Sequence, residues 1–194
     1  MPGTWLLSLT GDWMNKFWDR VIKAIKENER FLLCTHQFPD ADGVGSEFGL
    51  MEALESAGKQ VVILNPDPLP QLLEFMDPEG KVHPFDQIDN SVAIKMLDEA
   101  QVIFMLDAGA YKRLATLGPE VEERKEKLIV IDHHPPETEP LPENWAISEK
   151  ASSTGELVYE LISEADLLLN DRIAFCLYCA IIKDTGCFRF ENTN

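Results

Sequence analysis

Short apolar segments alternate with helix-like and turn-rich segments along most of the chain. Runs of four or five apolar residues are too short for helices and are typical of strands buried on both faces of a parallel sheet. Apolar residues at helical spacing, with capping residues before them, predict the helices. The predicted strands are residues 31–35, 61–64, 102–106 and 128–131, and the predicted helices are residues 12–28, 46–57, 88–99, 170–181 and one that begins after Ser153.

The order of these elements is that of an α/β protein. Strands that alternate with helices predict a Rossmann-like parallel sheet flanked by helices. We expect an N-terminal helical lead-in over residues 1–30 and a single α/β domain over residues 31–194. The proline-rich segment 135–142 cannot continue a helix or a central strand, so we predict a surface loop there, with a domain boundary as the alternative.

The 194-residue chain is strongly acidic, with 34 Asp and Glu against 17 Lys and Arg and a net charge of −17. This balance excludes long nucleic acids as partners, because contacts to their phosphates need clustered basic residues. Short phosphorylated molecules stay compatible with it. No apolar stretch reaches the roughly 18–20 residues of a membrane helix, and the first residues lack the basic start of a signal peptide. We therefore expect a cytoplasmic protein without a membrane partner.

The four cysteines are too few and too scattered for a disulfide scaffold. Cys34 lies in an apolar run, and Cys176 and Cys179 lie in a helical pattern, so we predict buried thiols. The Cys176-x-x-Cys179 pair is also compatible with redox chemistry or zinc. No second pair supplies the remaining zinc ligands, however.

Acidic and histidine side chains follow the ends of the predicted strands. The carboxyl ends of parallel strands face one crevice, so residues distant in sequence converge there. Several carboxylates together with imidazoles favour a pair of manganese or magnesium ions, whereas structural zinc would favour thiolates. The residues are His36, Asp40 and Asp42 after the first strand, Asp107 after the third, Asp132, His133 and His134 after the fourth, and Asp184 after the last helix.

The Asp40-Ala-Asp42-Gly segment has other interpretations. A calcium EF-hand is excluded, because its fifth loop position would be Val44. A plain Asx turn explains neither His36 nor the Gly-Ser pair that follows. The segment also resembles the haloacid-dehalogenase-like phosphatase pattern, but His-Gln-Phe-Pro separates Asp40 from the strand end where the nucleophile of that family should lie. For Asp132-His133 alone, the alternative is a solvated turn.

Four segments resemble, in order, the motifs of the DHH superfamily of phosphoesterases. They are residues 35–46, residues 106–109 with Arg113, Asp132-His133-His134, and Asp184-Thr-Gly-Cys-Phe188. The resemblance extends from about residue 31 to residue 194, and residues 151–156 resemble a serine-rich segment between the third and fourth motifs.

The resemblance implies a hydrolase with two divalent metal ions, manganese in the first place and magnesium as the alternative. Metal ions of this kind lower the pKa of a shared water and stabilise charge on phosphoryl oxygens. The resemblance implies that His36 and Asp40 hold one ion, that Asp42, His133 and Asp184 hold the other, and that Asp107 bridges both.

The same resemblance assigns catalytic roles to Asp107, Asp132, His133 and His134. His134 would contact the phosphoryl oxygen or the leaving group, and Asp132 would orient a histidine. Substrate contacts would come from His134, Arg113, Ser152 and Ser153.

Within the superfamily, the motifs most resemble those of nanoRNases, which hydrolyse short oligoribonucleotides and dephosphorylate 3′-phosphoadenosine 5′-phosphate. The open alternatives are a cyclic-dinucleotide phosphodiesterase, a pyrophosphatase or polyphosphatase, and a non-catalytic nucleotide-sensing module. All the implied ligand residues are present, which disfavours the sensor. Enzymes of this kind continue into a second, substrate-binding domain, which we expect to be absent from this sequence. Homodimerisation is left open.

Overall fold

A computed structural model of the chain describes residues 12–136 and 142–193. Its strands are β1 (Arg30–Cys34), β2 (Gln60–Asn65), β3 (Val82–Pro84), β4 (Val102–Leu106), β5 (Leu128–Asp132) and β6 (Trp145–Ile147). Its α-helices are α1 (Asp12–Glu27), α2 (Ala41–Ser56), α3 (Asn90–Glu99), α4 (Gly118–Glu122), α5 (Thr154–Glu164) and α6 (Asp171–Asp184). Short 3₁₀ segments include Gln71–Met76 and Tyr111–Leu117.

The strands form one six-stranded parallel sheet in the order β3-β2-β1-β4-β5-β6. Successive side chains of a strand point to opposite faces, so the apolar runs supply two cores. Phe31 and Leu33 pack on the face covered by α1, α2, α5 and α6, while Leu32 and Cys34 pack on the face covered by α3 and α4. The Rossmann-like parallel sheet flanked by helices, predicted from the sequence, is confirmed.

The centre of the sheet contains a topological switch, because β1 lies between β2 and β4. From β1 the chain proceeds to one edge through β2 and β3, then returns to β4 and proceeds to the other edge. A crevice opens at the carboxyl ends of the strands where the order reverses. Cys34 is paired with Met105 in the parallel register, which places His36 and Asp107 beside each other just beyond the two strands.

Two element predictions need correction. Helix α2 begins at Ala41, not at residue 46, so Gly43 and Gly45 are helical. These glycines serve close packing: a Cβ on Gly43 would lie 2.3 Å from Thr35 Oγ1, and one on Gly45 would lie 2.4 Å from the Cys176 carbonyl oxygen. The edge strands β3 and β6 were absent from the sequence prediction, since a strand of three residues is too short to show an apolar pattern.

The predicted N-terminal caps of the last two helices agree with the described residues. Ser153 and Asn170 cap α5 and α6 by accepting backbone N–H bonds, and α6 extends beyond residue 181 to Asp184. The prediction of buried thiols is confirmed for Cys34 and Cys176 and is wrong for Cys179, which is half-buried; Cys187, for which no prediction was made, is exposed. Most of the predicted 135–142 loop, residues 1–11 and the capping side chain of Asp12 lie outside the described residues. None of the described helices is long and apolar enough to cross a membrane.

Candidate metal centre

The described residues contain three groups of potential metal ligands, each with its donor atoms within 4.8 Å of one another. The groups share members and lie at the crevice over β1, β4 and β5. Every ligand residue expected from the sequence is present in them. The groups are His36 with Asp40 and Asp107, Asp42 with His133 and Asp184, and Asp107 with His133 and His134.

The first group surrounds the end of β1. His36 Nε2 lies 3.3 Å from Asp107 Oδ2 and 4.0 Å from Asp40 Oδ1. The other ring nitrogen, Nδ1, lies 2.7 Å from the Gln37 carbonyl oxygen. A carbonyl accepts only, so Nδ1 carries the proton in the neutral ring and the Nε2 lone pair faces the two carboxylates. This tautomer is the one that a metal ligand requires.

The second group joins α2, the end of β5 and the last turn of α6. His133 Nε2 lies 3.0 Å from Asp184 Oδ2 and 3.5 Å from Asp42 Oδ2. Asp42 is fully buried, and its carboxylate accepts N–H bonds from Thr154 at 2.8 Å and from Gly155 at 2.9 Å. These N–H groups open α5, and a helix N-terminus stabilises a carboxylate through its unpaired N–H groups and its dipole.

Asp107 connects the two groups. Its Oδ2 faces His36, and its Oδ1 lies 3.3 Å from His134 Nδ1 and 3.9 Å from His133 Nε2. Its backbone has φ 55°, a left-handed conformation that costs about 1 kcal/mol or more in a residue with a Cβ. Its N–H is held by the Ile131 carbonyl oxygen at 3.0 Å, so the neighbouring strand fixes this turn.

The donor set fits divalent cations. His133 Nε2 is buried and has no hydrogen-bond partner among the described residues, although carboxylate oxygens surround it. An unsatisfied buried polar atom costs about 1–3 kcal/mol, and a cation between the imidazole and the carboxylates would satisfy all of them. The described cluster contains no cysteine, so its oxygen-rich character suits manganese or magnesium better than structural zinc.

Comparison with known proteins places the chain in a family. The DHH family, N-terminal domain, matches residues 30–181. The chain belongs to the DHH family. That match contains every motif except the last, which begins at Asp184.

Relatives of this DHH chain include a bifunctional oligoribonuclease and PAP phosphatase, NrnA, from Bacillus subtilis (strain 168). It is 29% identical over 177 residues, which cover 89% of this chain and 51% of the relative. An exopolyphosphatase-related protein from Bacteroides fragilis has a crystal structure with a TM-score of 0.84 and 30% identity, covering 93% of this chain and 53% of that one. The chain therefore spans about half the length of these relatives.

A more distant structural neighbour is RecJ in complex with Mn²⁺ from Thermus thermophilus. Its TM-score is 0.54 at 19% identity, and the match covers 92% of this DHH chain and 25% of RecJ. At this identity the likeness concerns the fold.

The electrostatics of the DHH site are those of crowded carboxylates. Burial and the charges of Asp107 and Asp184 raise the pKa of Asp42 well above its ordinary value. Burial would also raise the pKa of Asp107, but hydrogen bonds from His134 and His36 outweigh it and hold that pKa below the usual range. Burial would lower the pKa of His36, yet its hydrogen bond with Asp107 raises it overall. Without metal, the hydrogen bond between His36 and Asp107 therefore favours the charged form of both groups.

His134 and Asp132 form a pair beside the ligands. His134 Nδ1 lies 2.8 Å from Asp132 Oδ1, and the hydrogen bonds with Asp107 and Asp132 raise the pKa of His134 to about 10. The side chain of His134 is 38% exposed, against 10% for His133. Gly109 makes room for the pair, since a Cβ there would lie 2.6 Å from Asp132 Oδ2.

The remaining sequence-predicted residues lie around the cluster with different accessibility. Arg113 is half-buried, its carbonyl accepts from Gln37 N–H, and its guanidinium forms no ion pair with another described residue. Ser152 and Ser153 are buried, and the Ser153 hydroxyl accepts from Glu156 N–H as the cap of α5. The geometry shows a structural role for Ser153, and substrate contact by either serine stays a prediction.

Three residues of the site escaped sequence reasoning. Thr154 Oγ1 donates to Asp107 Oδ1 at 3.1 Å, and Lys183 Nζ lies 2.8 Å from Asp40 Oδ2 and 3.6 Å from Asp184 Oδ1. Glu47 is fully buried on α2 and accepts from Asn65 Nδ2 at 2.9 Å. The only signals were the serine-rich segment around Thr154 and the position of Lys183 beside Asp184. Nothing in the sequence marks Glu47 as buried.

Proposed function

We propose that this chain is the metal-binding, catalytic domain of a phosphoesterase that hydrolyses phosphoester bonds in short nucleotides. The observation that carries the proposal is that the ligand groups share members: Asp107 belongs both to the group of His36 and Asp40 and to the group of His133 and His134. His133, whose buried Nε2 has no hydrogen-bond partner among the described residues, belongs also to the group of Asp42 and Asp184. Adjacent sites with a common carboxylate are the arrangement of two-metal hydrolases. The similarity to an oligoribonuclease and PAP phosphatase supports short nucleotides as the substrate class.

In this proposal one divalent ion would be held by His36 and Asp40 and the other by Asp42, His133 and Asp184, and Asp107 would contribute to both. Two such ions would supply a water of lowered pKa and stabilisation of charge on the phosphoryl oxygens. Manganese is our first choice, because two imidazoles among the ligands suit it better than magnesium, which keeps mostly oxygen ligands. Magnesium is the alternative.

His134 and Arg113 would act on the substrate itself. Because Nδ1 of His134 is held by Asp132 and Asp107, its other nitrogen is left to donate a proton to a phosphoryl oxygen or the leaving group. In the metal-free protein the hydrogen bonds with Asp107 and Asp132 raise the pKa of His134 to about 10. Arg113, on the segment after β4, would contact a second phosphate oxygen, and Asp132 would orient His134.

A substrate panel with manganese tests this function. It comprises a 5′-phosphorylated dinucleotide, 3′-phosphoadenosine 5′-phosphate, a cyclic dinucleotide, pyrophosphate and polyphosphate. We expect metal-dependent release of product from the first two at the highest kcat/KM, and none from Asp107→Asn. A preference for cyclic dinucleotides, or for pyrophosphate and polyphosphate, would contradict the proposed substrate class. Nucleotide binding without turnover of any substrate would contradict the proposed catalysis and favour a sensing module.

A further inference from the structure

Phe38 lies between two proposed metal ligands, two residues after His36 and two before Asp40. Its exposed fraction is 78%, among the largest for an apolar residue of the described chain. Because consecutive Cα atoms are about 3.8 Å apart, its Cα lies within about 8 Å of the Cα atoms of both ligands. The residue that carries this exposed ring therefore lies beside the crevice where a phosphate would react.

The backbone that carries this ring is held from both sides. The Phe38 N–H donates to Asp67 Oδ2 at 2.7 Å, and the Gln37 N–H donates to the Arg113 carbonyl oxygen at 2.7 Å. Asp67 follows β2 and Arg113 follows β4, so segments from both neighbours of β1 clamp the loop. Phe38 itself has φ 54°, which is unusual for a bulky residue. The clamps maintain a conformation that the phenylalanine does not favour.

Chance exposure explains this arrangement poorly. Single apolar side chains are common on surfaces, but they rarely need a strained backbone. Four other exposed rings pack in pairs: Phe75 lies 5.9 Å from Phe175, and Tyr178 lies 6.5 Å from Phe188. Phe38 has no ring contact of this kind among the described residues. The ring is largely exposed and the backbone that carries it is held by two hydrogen bonds, so the ring is open to a stacking partner.

We propose that Phe38 is the platform on which a base of the nucleotide substrate stacks while its phosphate reaches the metal centre. The proposal rests on the proposed function and adds a residue to it. Each base has a π-face, so stacking on Phe38 would position nucleotides with little preference for sequence. It also supplies binding that does not depend on charge, which a domain of net charge −17 needs for an anionic substrate.

The test compares a 5′-phosphorylated diadenosine dinucleotide with an analogue whose riboses carry no base. Phe38→Asn removes the ring while keeping a residue that tolerates the left-handed conformation, and Phe38→Trp keeps an aromatic face. Leu168→Ala is the matched control: this residue is 56% exposed in the loop after α5, at the end of that helix opposite the metal centre. Manganese affinity is measured for every variant.

For Phe38→Asn we expect kcat/KM on the dinucleotide to fall roughly 5- to 100-fold, mainly through KM, with no change on the base-free analogue. Phe38→Trp and Leu168→Ala should stay within about threefold of wild type, and manganese affinity should be unchanged. An equal loss on both substrates would mean that Phe38 positions the loop, and no loss on either would also overturn stacking.

A binding measurement separates this proposal from the proposed function. A dinucleotide that carries 2-aminopurine loses fluorescence when its base stacks. Quenching by wild type and Phe38→Trp but not by Phe38→Asn supports the platform even if no substrate is hydrolysed, in which case only the catalytic proposal fails. Hydrolysis of the dinucleotide with equal quenching by all variants would reject the platform alone. If wild type shows no hydrolysis and no quenching, both proposals are rejected.

Discussion

Asp107 has a central position in the site, since one of its oxygens faces His36 and the other faces His133. We expect Asp107→Ala to abolish metal-dependent hydrolysis more completely than Asp40→Ala. Loss of a bridging ligand disturbs both ions, whereas loss of a terminal ligand disturbs mainly one. Steady-state kinetics with manganese and calorimetric counting of bound ions measure the difference. An Asp107→Ala protein that still binds two ions with wild-type affinity would refute the bridging role.

Neighbouring histidines are expected to behave differently. His133→Ala should lose metal occupancy, because its Nε2 lies among three carboxylates, and His134→Ala should keep both ions and lose rate. Removal of a positioned acid typically costs about 10²–10⁴-fold in rate. Metal titration and kcat on both variants decide the matter. Reversed behaviour would mean that the two roles are exchanged.

Glu47 predicts a pH dependence of stability. Burial raises its pKa from 4.5 to about 8, against partial compensation by the hydrogen bond from Asn65. Since the folded state holds this proton more tightly than the unfolded state, the protonated carboxyl contributes to the free energy of unfolding. This contribution is fully present below pH 4.5 and is lost as the pH rises to about 8.

Glu47→Gln keeps an oxygen acceptor for Asn65 and cannot ionise. In metal-free protein we expect the variant to match wild type near pH 4.5 and to be more stable by about 3–5 kcal/mol near pH 9. Urea denaturation at both pH values gives the free energy of unfolding. A difference that is the same at both pH values would show that Glu47 does not titrate as described.

At the scale of elements, the N-terminus of α5 is fixed by its packing on α6. A Cβ on Gly155 would lie 2.5 Å from Ala180 Cβ and 3.4 Å from Asp42 Oδ1. Gly155→Ala should therefore push α5 outward and weaken the N–H bonds to Asp42. Loss of such supporting bonds lowers metal affinity by about 10–100-fold, measurable by manganese titration.

Gly49→Ala is the control for this substitution. Its Cβ would meet Leu177 Cδ2 at 2.6 Å, in the packing of α2 on α6 but away from the ligands. Both variants should lower the melting temperature, and only Gly155→Ala should lower manganese affinity. Equal affinities in the two variants would show that α5 does not need its position to support Asp42.

The central elements were predictable because each is encoded locally. Strands β1, β4 and β5 are continuous apolar runs, and the rule that parallel strands end at one crevice was enough to bring His36, Asp107 and His133 together. Short edge strands and the start of α2 were not predictable, since pairing partners and the close approach of Thr35 to Gly43 determine them. The roles of Thr154 and Glu47 were not predictable either, because they depend on contacts with residues that are distant in the sequence.

Metal binding should raise the free energy of unfolding of the folded domain. A ligand that binds only the folded state at 100 times its dissociation constant adds about 2.7 kcal/mol. In a domain of this size that corresponds to a rise in melting temperature of roughly 5–10 °C for one site. Thermal unfolding with manganese and with EDTA measures the rise, and Asp184→Asn should reduce it. Identical melting curves with and without manganese would contradict a metal centre at this cluster.

The ligand residues extend from His36 to Asp184, and α6, which ends at Asp184, packs across α2, which begins beside His36. In the parallel sheet β1 pairs directly with β4, so this pairing forms only when a segment far along the chain is available. Contacts between distant segments form late and slow folding. During synthesis the second ligand group cannot form until α6 has left the ribosome, so a growing chain that ends before α6 lacks Asp184. In the proposed two-metal site, the second ion could therefore bind only after α6 has been synthesised.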